Sequence, residues 1–184
     1  MLNPSQQIKS RQSGVALITG LVFMVVMTII VISALRSATL EERMAANARN
    51  RQVALQAAEA VLRDAEATIN AGAAPFDPFE AASFGADCKK TGTFKGYCRK
   101  PATGTTPRWL DEDIWGDATS REGTTAIDGV SEQPRYIVEI VNTPIFMPGQ
   151  ACPKVLYRIT ARGVGMDNST VFVQTMVRHL PASC

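Results

Sequence analysis

The chain has 184 residues, 46% of them hydrophobic, and a formal charge of +2 that vanishes once the first fourteen residues, which carry Lys9 and Arg11 and no acid, are set aside. That length allows one globular domain with an appendage. A neutral remainder offers no basic face for nucleic acid, and a single histidine, His179, with no nucleophile and base gathered around it gives no footing for an enzyme.

The first element in chain order is apolar. Residues 15–35 carry no charge, and their only polar side chains are Thr19, Thr28 and Ser33. A 21-residue helix is roughly 32 Å long, against about 30 Å of bilayer hydrocarbon. Thirteen of the 21 are Leu, Ile, Val or Phe. At about −0.3 to −0.6 kcal/mol each, these contribute about −4 to −8 kcal/mol toward insertion. A soluble core helix is seldom apolar on every face over such a length, so a membrane span over 15–35 is expected. A cleavable secretory signal would have an apolar region of about 7–15 residues ending in a small-x-small site. This run is longer, and its nearest such site, Ser37-Ala38-Thr39, lies beyond Arg36.

Orientation follows from the cysteines more than from the charges. Arg36, Arg43, Arg49 and Arg51 follow the span and outnumber Lys9 and Arg11 before it. A positive-inside count governs short loops, however, and a domain of about 150 residues translocates regardless of it. Cys88, Cys98, Cys152 and Cys184 all lie in the soluble part, without the close spacing of a zinc site. Two disulfides in an oxidising compartment are expected, with the domain facing the periplasm or the exterior.

Past the span no helix breaker intervenes until Gly72 and Pro75, and residues 37–70 are dominated by Ala, Leu, Glu, Arg and Gln. One helix over 15–70 is therefore expected, with Leu55, Ala58, Leu62, Ala65 and Ile69 forming an apolar stripe at 3-4-3-4 spacing. Residues 75–133 are rich in Gly, Thr, Asp and Pro and should hold only short elements. Three strand-like runs follow at 135–141, 155–162 and 170–178, the last two separated by Gly163, Gly165, Asp167 and Asn168. They predict an antiparallel meander with a hairpin centred near Met166. The organisation is then a leader over 1–14, a helix over 15–70, and an irregular loop with antiparallel sheet over 71–184, an α+β fold.

The four cysteines allow three pairings. Cys88 and Cys98 can close a local loop, and Cys152 and Cys184 stand nearly symmetrically about the hairpin turn, so Cys88–Cys98 and Cys152–Cys184 are expected. Asp111, Asp113, Asp117 and Glu122 fall in the spacing of a calcium loop, although Trp115 stands where a ligand should. Calcium and a merely solvated acidic loop both fit that pattern; no other cofactor is expected. Trp109 to Trp115 reads either as an adhesive loop or as core packing.

The leader is the sharper signal. Lys9, Arg11, Gln12, Ser13 and Gly14 run directly into the apolar helix at Val15. Together with Gly14-Val-Ala-Leu-Ile-Thr-Gly-Leu-Val-Phe23, Leu40-Glu-Glu-Arg-Met-Ala-Ala-Asn47 and Ala54-Leu-Gln-Ala-Ala-Glu-Ala60, this resembles the N-terminal region of the PilX-type minor pilins over about residues 11–66. The resemblance implies a pilin-like fold and cleavage between Gly14 and Val15 by prepilin peptidase, with methylation of the new amine. It also implies assembly with other minor and major pilins on the inner-membrane platform. The chain would first cross the inner membrane once with its domain in the periplasm, then enter a surface pilus serving adhesion and twitching motility. Most pilins carry glutamate at the fifth mature position. Here it is Thr19, a departure shared with PilX-like and certain tip pseudopilin subunits. It points to a priming or tip role, or to simple tolerance of Thr at that site. The alternatives are a bitopic periplasmic binding protein, held by the uncleaved span, and a tip pseudopilin of a type II secretion system.

Overall fold

The structure, a computed structural model, describes residues 14–71, 84–88, 94–141, 148–149 and 155–179. It divides into two compact units, Met1–Ala46 and Asn47–Cys184.

Helix α1 runs Val15–Asn70, 56 residues without a break. In the first unit its apolar side chains stand exposed all round, Leu17, Phe23 and Met24 at 73%, 63% and 75%. Among the described residues it is the one helix long and apolar enough to cross a membrane. The hydroxyls of Thr19 and Thr28 close onto the helix itself. The Thr28 hydroxyl donates to the Met24 carbonyl at 2.6 Å, for example. In lipid that matters, because an unsatisfied donor has no water to fall back on.

In the second unit, the helix buries Ala54, Ala57, Ala58, Val61, Ala65 and Ile69 against a five-stranded sheet. The buried face is turned from the expected stripe, since Leu55 and Leu62 are only half-buried while Ala54 and Ala57 are inside. The cause is a close approach. Gly163 and Gly165 lie directly on the helix backbone, where a Cβ at Gly165 would sit 2.5 Å from the Asn50 carbonyl oxygen. Alanine fits beneath such a crossing and leucine does not.

The strands are β1 (Tyr97–Arg99), β2 (Arg121–Glu122), β3 (Glu132–Ile140), β4 (Val155–Val164) and β5 (Thr170–His179). β3, β4 and β5 form the antiparallel meander, with Val155 opposite His179 and Val164 opposite Thr170. That register centres the hairpin on Asp167, one residue past Met166. Asn168 takes the left-handed conformation there, at φ 58°, which Asn tolerates. β3 starts three residues earlier than the alternation indicates, at Glu132. Pro134 falls within the register irregularity between Glu132 and Arg135, where a strand can accommodate a residue without an N–H.

One expectation needs correction: the sheet is mixed. β1 pairs with β3 in parallel, Tyr97 opposite Val138 and Arg99 opposite Ile140, and β2 pairs antiparallel with the same edge. The long segment between Arg99 and Glu132 provides the crossover that a parallel neighbour requires.

Candidate assembly site

In the first unit, the residues expected to bear on processing and assembly, Gly14, Val15 and Thr19, lie at the start of α1. Gly14 stands in open space, and its carbonyl accepts from the Ile18 amide at 3.4 Å. Val15 opens the helix at 66% exposure. The Thr19 hydroxyl donates to the carbonyls of Val15 and Ala16 at 3.0 and 3.1 Å. The side chain at this position is therefore satisfied within its own turn and carries no charge toward a neighbour.

In the second unit, alternation divides the sheet into two faces. One carries Tyr136, Val138, Tyr157, Ile159 and Ala161 to the helix. The other is covered by the irregular segment, pinned by a disulfide between Cys88 and Cys98, both fully buried. This bond lies in a small core with Ile114, Trp115 and Ile137. Trp115 is thus a packing residue, 5% exposed, with its indole N–H given to the Trp109 carbonyl at 3.2 Å. Cys152 and Cys184 lie outside the described residues.

Charges on this covered face are paired across strands. The carboxylate of Glu139 is wholly buried, with one oxygen accepting from Arg158 Nε at 2.9 Å and facing Nη2 at 2.8 Å. Its other oxygen has no hydrogen bond and faces Arg108 Nε at 3.9 Å. Arg162 Nη1 donates to Glu132 at 2.9 Å. Neither pair was evident from the sequence. The only available signal was a glutamate placed between apolar neighbours in 135–141.

The acidic loop residues are spread among different partners. Asp111 accepts from the Asp113 amide at 3.2 Å, capping the short 3-10 turn Glu112–Trp115. Asp117 and Glu122 both pair with Arg135, whose side chain is 8% exposed. Among the described residues no three metal-ligating side chains gather as they would around an ion.

Tyr97 and Tyr136 lie on the helix face beside Arg121. The Tyr97 hydroxyl accepts from Arg121 Nη1 at 3.2 Å, and the guanidinium carbon stands 5.2 Å from the ring centroid. Burial above all, then the neighbouring Tyr136, pushes the Tyr97 phenol up to about 12, while Arg121 pulls it back. Tyr136 is also raised, chiefly by burial. Neither phenol is poised for proton transfer near neutral pH.

A long helix whose first 21 residues carry no charge, followed by a disulfide-pinned α+β domain, is a pilin-like architecture. Two family models match the chain, PilX N-terminal over residues 13–63 and Type IV pilus assembly protein PilX C-term over residues 94–179. No curated protein and no solved structure matches it. The chain belongs to the PilX family of type IV pilus assembly proteins.

Proposed function

We propose that this protein is a minor pilin that primes assembly of a type IV pilus and occupies the fibre tip. It is first held in the inner membrane by residues 15–35 with its domain in the periplasm. Prepilin peptidase cuts between Gly14 and Val15, and the new amine is methylated. The mature helix then leaves the bilayer for a fibre core of equivalent helices, contacting other minor and major pilins on the assembly platform. Apolar surface is exchanged for apolar surface in that step, so the favourable insertion energy is largely retained. Gly20, Ser33 and Ala34 permit close helix approach. Adhesion and twitching motility are the cellular outputs of such a fibre.

The observation that carries this reading is Thr19. Its hydroxyl is spent on the Val15 and Ala16 carbonyls, so the subunit offers no anion to a neighbour's amino terminus. An unpaired carboxylate in apolar surroundings costs several kcal/mol, so a subunit with no partner amine above it loses nothing by omitting one. The PilX family is structural and not a known enzyme family, and its members act with other pilus components.

The test is processing in the native host. In cells with prepilin peptidase, the mature chain should begin at Val15 by mass spectrometry. Gly14→Glu should leave the precursor uncut and reduce surface fibres. A wild-type chain recovered with residues 1–14 still attached in cells that have the peptidase would overturn the reading in favour of an uncleaved, membrane-anchored binding protein.

A further inference from the structure

On the sheet face opposite α1, a cleft of about 610 Å³ opens between the 3-10 turns Arg108–Leu110 and Glu112–Trp115 and the start of β5. That is within the range of small-molecule sites, about 300–1,000 Å³. Its wall is aromatic, with the Phe172 ring 5.6 Å from Trp109 and 5.4 Å from Trp115, tilted by 55° and 43°. Trp115 is fixed by its hydrogen bond to the Trp109 carbonyl. The indole N–H of Trp109 and the carboxylate of Glu112 make no hydrogen bond or ion pair among the described residues. Arg162 gives one N–H to Glu132 and keeps the rest of its donor fork. The cleft therefore combines an aromatic wall, shared with the disulfide core, with uncommitted donors and an uncommitted acceptor.

The combination selects a ligand class. A purely apolar guest would bury the Glu112 carboxylate without a partner, at a cost of several kcal/mol. A phosphate or dicarboxylate would meet Glu112 and Glu132. A quaternary ammonium requires rings held apart as a cage, whereas these rings touch each other. A sugar ring has apolar C–H patches to lay on an indole and a rim of hydroxyls, each both donor and acceptor, that match Arg162 and Glu112. We propose that this cleft is a carbohydrate-binding site for a neutral mono- or disaccharide unit.

The chain has two tryptophans, and both border this cleft, so intrinsic fluorescence reports its occupancy. The full-length protein in lipid nanodiscs would be titrated with glucose, galactose, N-acetylglucosamine, N-acetylgalactosamine and maltose, with tetramethylammonium and inorganic phosphate as controls. We expect at least one of these sugars to shift the emission saturably with a Kd on the order of 1 mM. Glu112→Ala, an exposed residue without partners, should weaken that binding by about tenfold or more with unchanged near-ultraviolet circular dichroism. Silence toward every sugar in both fluorescence and saturation-transfer NMR would overturn the proposal. So would equal binding by Glu112→Ala, or a response confined to the two controls.

Discussion

A Cβ placed on Gly163 would stand 2.0 Å from the carbonyl oxygen of Ala54 and 2.7 Å from the amide nitrogen of Ala58. Helix and strand meet backbone to backbone at this point, and neither can retreat without opening the core around Val61 and Ile159. Gly163→Ala should therefore cost about 3 kcal/mol or more, toward the upper end for overpacking. Thermal melting of the full chain in detergent would show this as a large drop in Tm or loss of folded protein. Gly116→Ala is the control, since its nearest non-neighbour would be 3.7 Å away, an ordinary contact. Equal melting of the two variants would refute the close-packing account.

That crossing also explains where the sequence was legible and where it was not. The long helix was readable because no breaker interrupts 15–70, and the meander because Val171, Val173 and Val177 alternate against Phe172, Gln174 and Met176. The helix face was misjudged because hydrophobicity favours Leu55 and Leu62, whereas the geometry at Gly163 requires the smallest side chains at the contact. β1 and β2 were hidden by length, being three and two residues with no period to detect. The acidic spacing in 111–122 was visible, but the partner that two of its carboxylates face, Arg135, belongs to another element.

Glu139 and Arg158 should show the asymmetry of a buried ion pair. Arg158→Met leaves a wholly buried carboxylate without its main partner and should cost about 3–5 kcal/mol. Adding Glu139→Gln to that variant should recover much of the loss, because the stranded charge is gone. Denaturant melts of the two singles and the double give the coupling energy. A double variant no more stable than Arg158→Met alone would show that the pair is not the source of the effect.

Arg135 serves Asp117, Glu122, Glu132 and Ser120 from a nearly buried position. Its carboxylate partners are largely exposed, Asp117 at 86%, so solvent discounts their contribution. Arg135→Met should cost about 1–2 kcal/mol, mostly from the buried donors. Because Arg135 already neutralises two of the four carboxylates in the calcium-like spacing, the Tm of the wild-type chain should be indifferent to calcium or chelator. A calcium-dependent rise that Asp113→Ala abolishes would instead establish an ion in this loop.

Tyr97 makes stability fall at high pH. Its phenol titrates near 12 in the folded chain against an ordinary 10.0. Below about pH 10 both states hold the proton, and the stability linked to this group is fully present. Between 10 and 12 the unfolded chain releases its proton while the folded chain keeps it, so rising pH favours unfolding until the folded value is passed. The Tm of wild type should therefore decline more steeply over this window than that of Tyr97→Phe. Parallel curves would mean that burial of the phenol is not coupled to folding.

Cys152 and Cys184 lie outside the described residues, and their pairing is a prediction. Val155 lies opposite His179; by number alone, Cys152 falls three residues before Val155 and Cys184 five after His179. A turn centred on Asp167 halves the numbering mismatch that a centre at Met166 gives, and Cys152–Cys184 is the pairing expected. Cys88 and Cys98 are already joined to each other. Such a crosslink would tie the chain before β4 to the chain after β5 and restrict the unfolded ensemble, stabilising the domain by roughly 2–4 kcal/mol. Non-reducing peptide mapping of the protein purified from its native host should yield one peptide pair holding Cys152 and Cys184. The paired substitution to serine should lower Tm without changing the Cys88–Cys98 peptide. Recovery of Cys152 and Cys184 as free thiols, or of either joined to Cys88 or Cys98, would show that the register does not extend beyond the described strands.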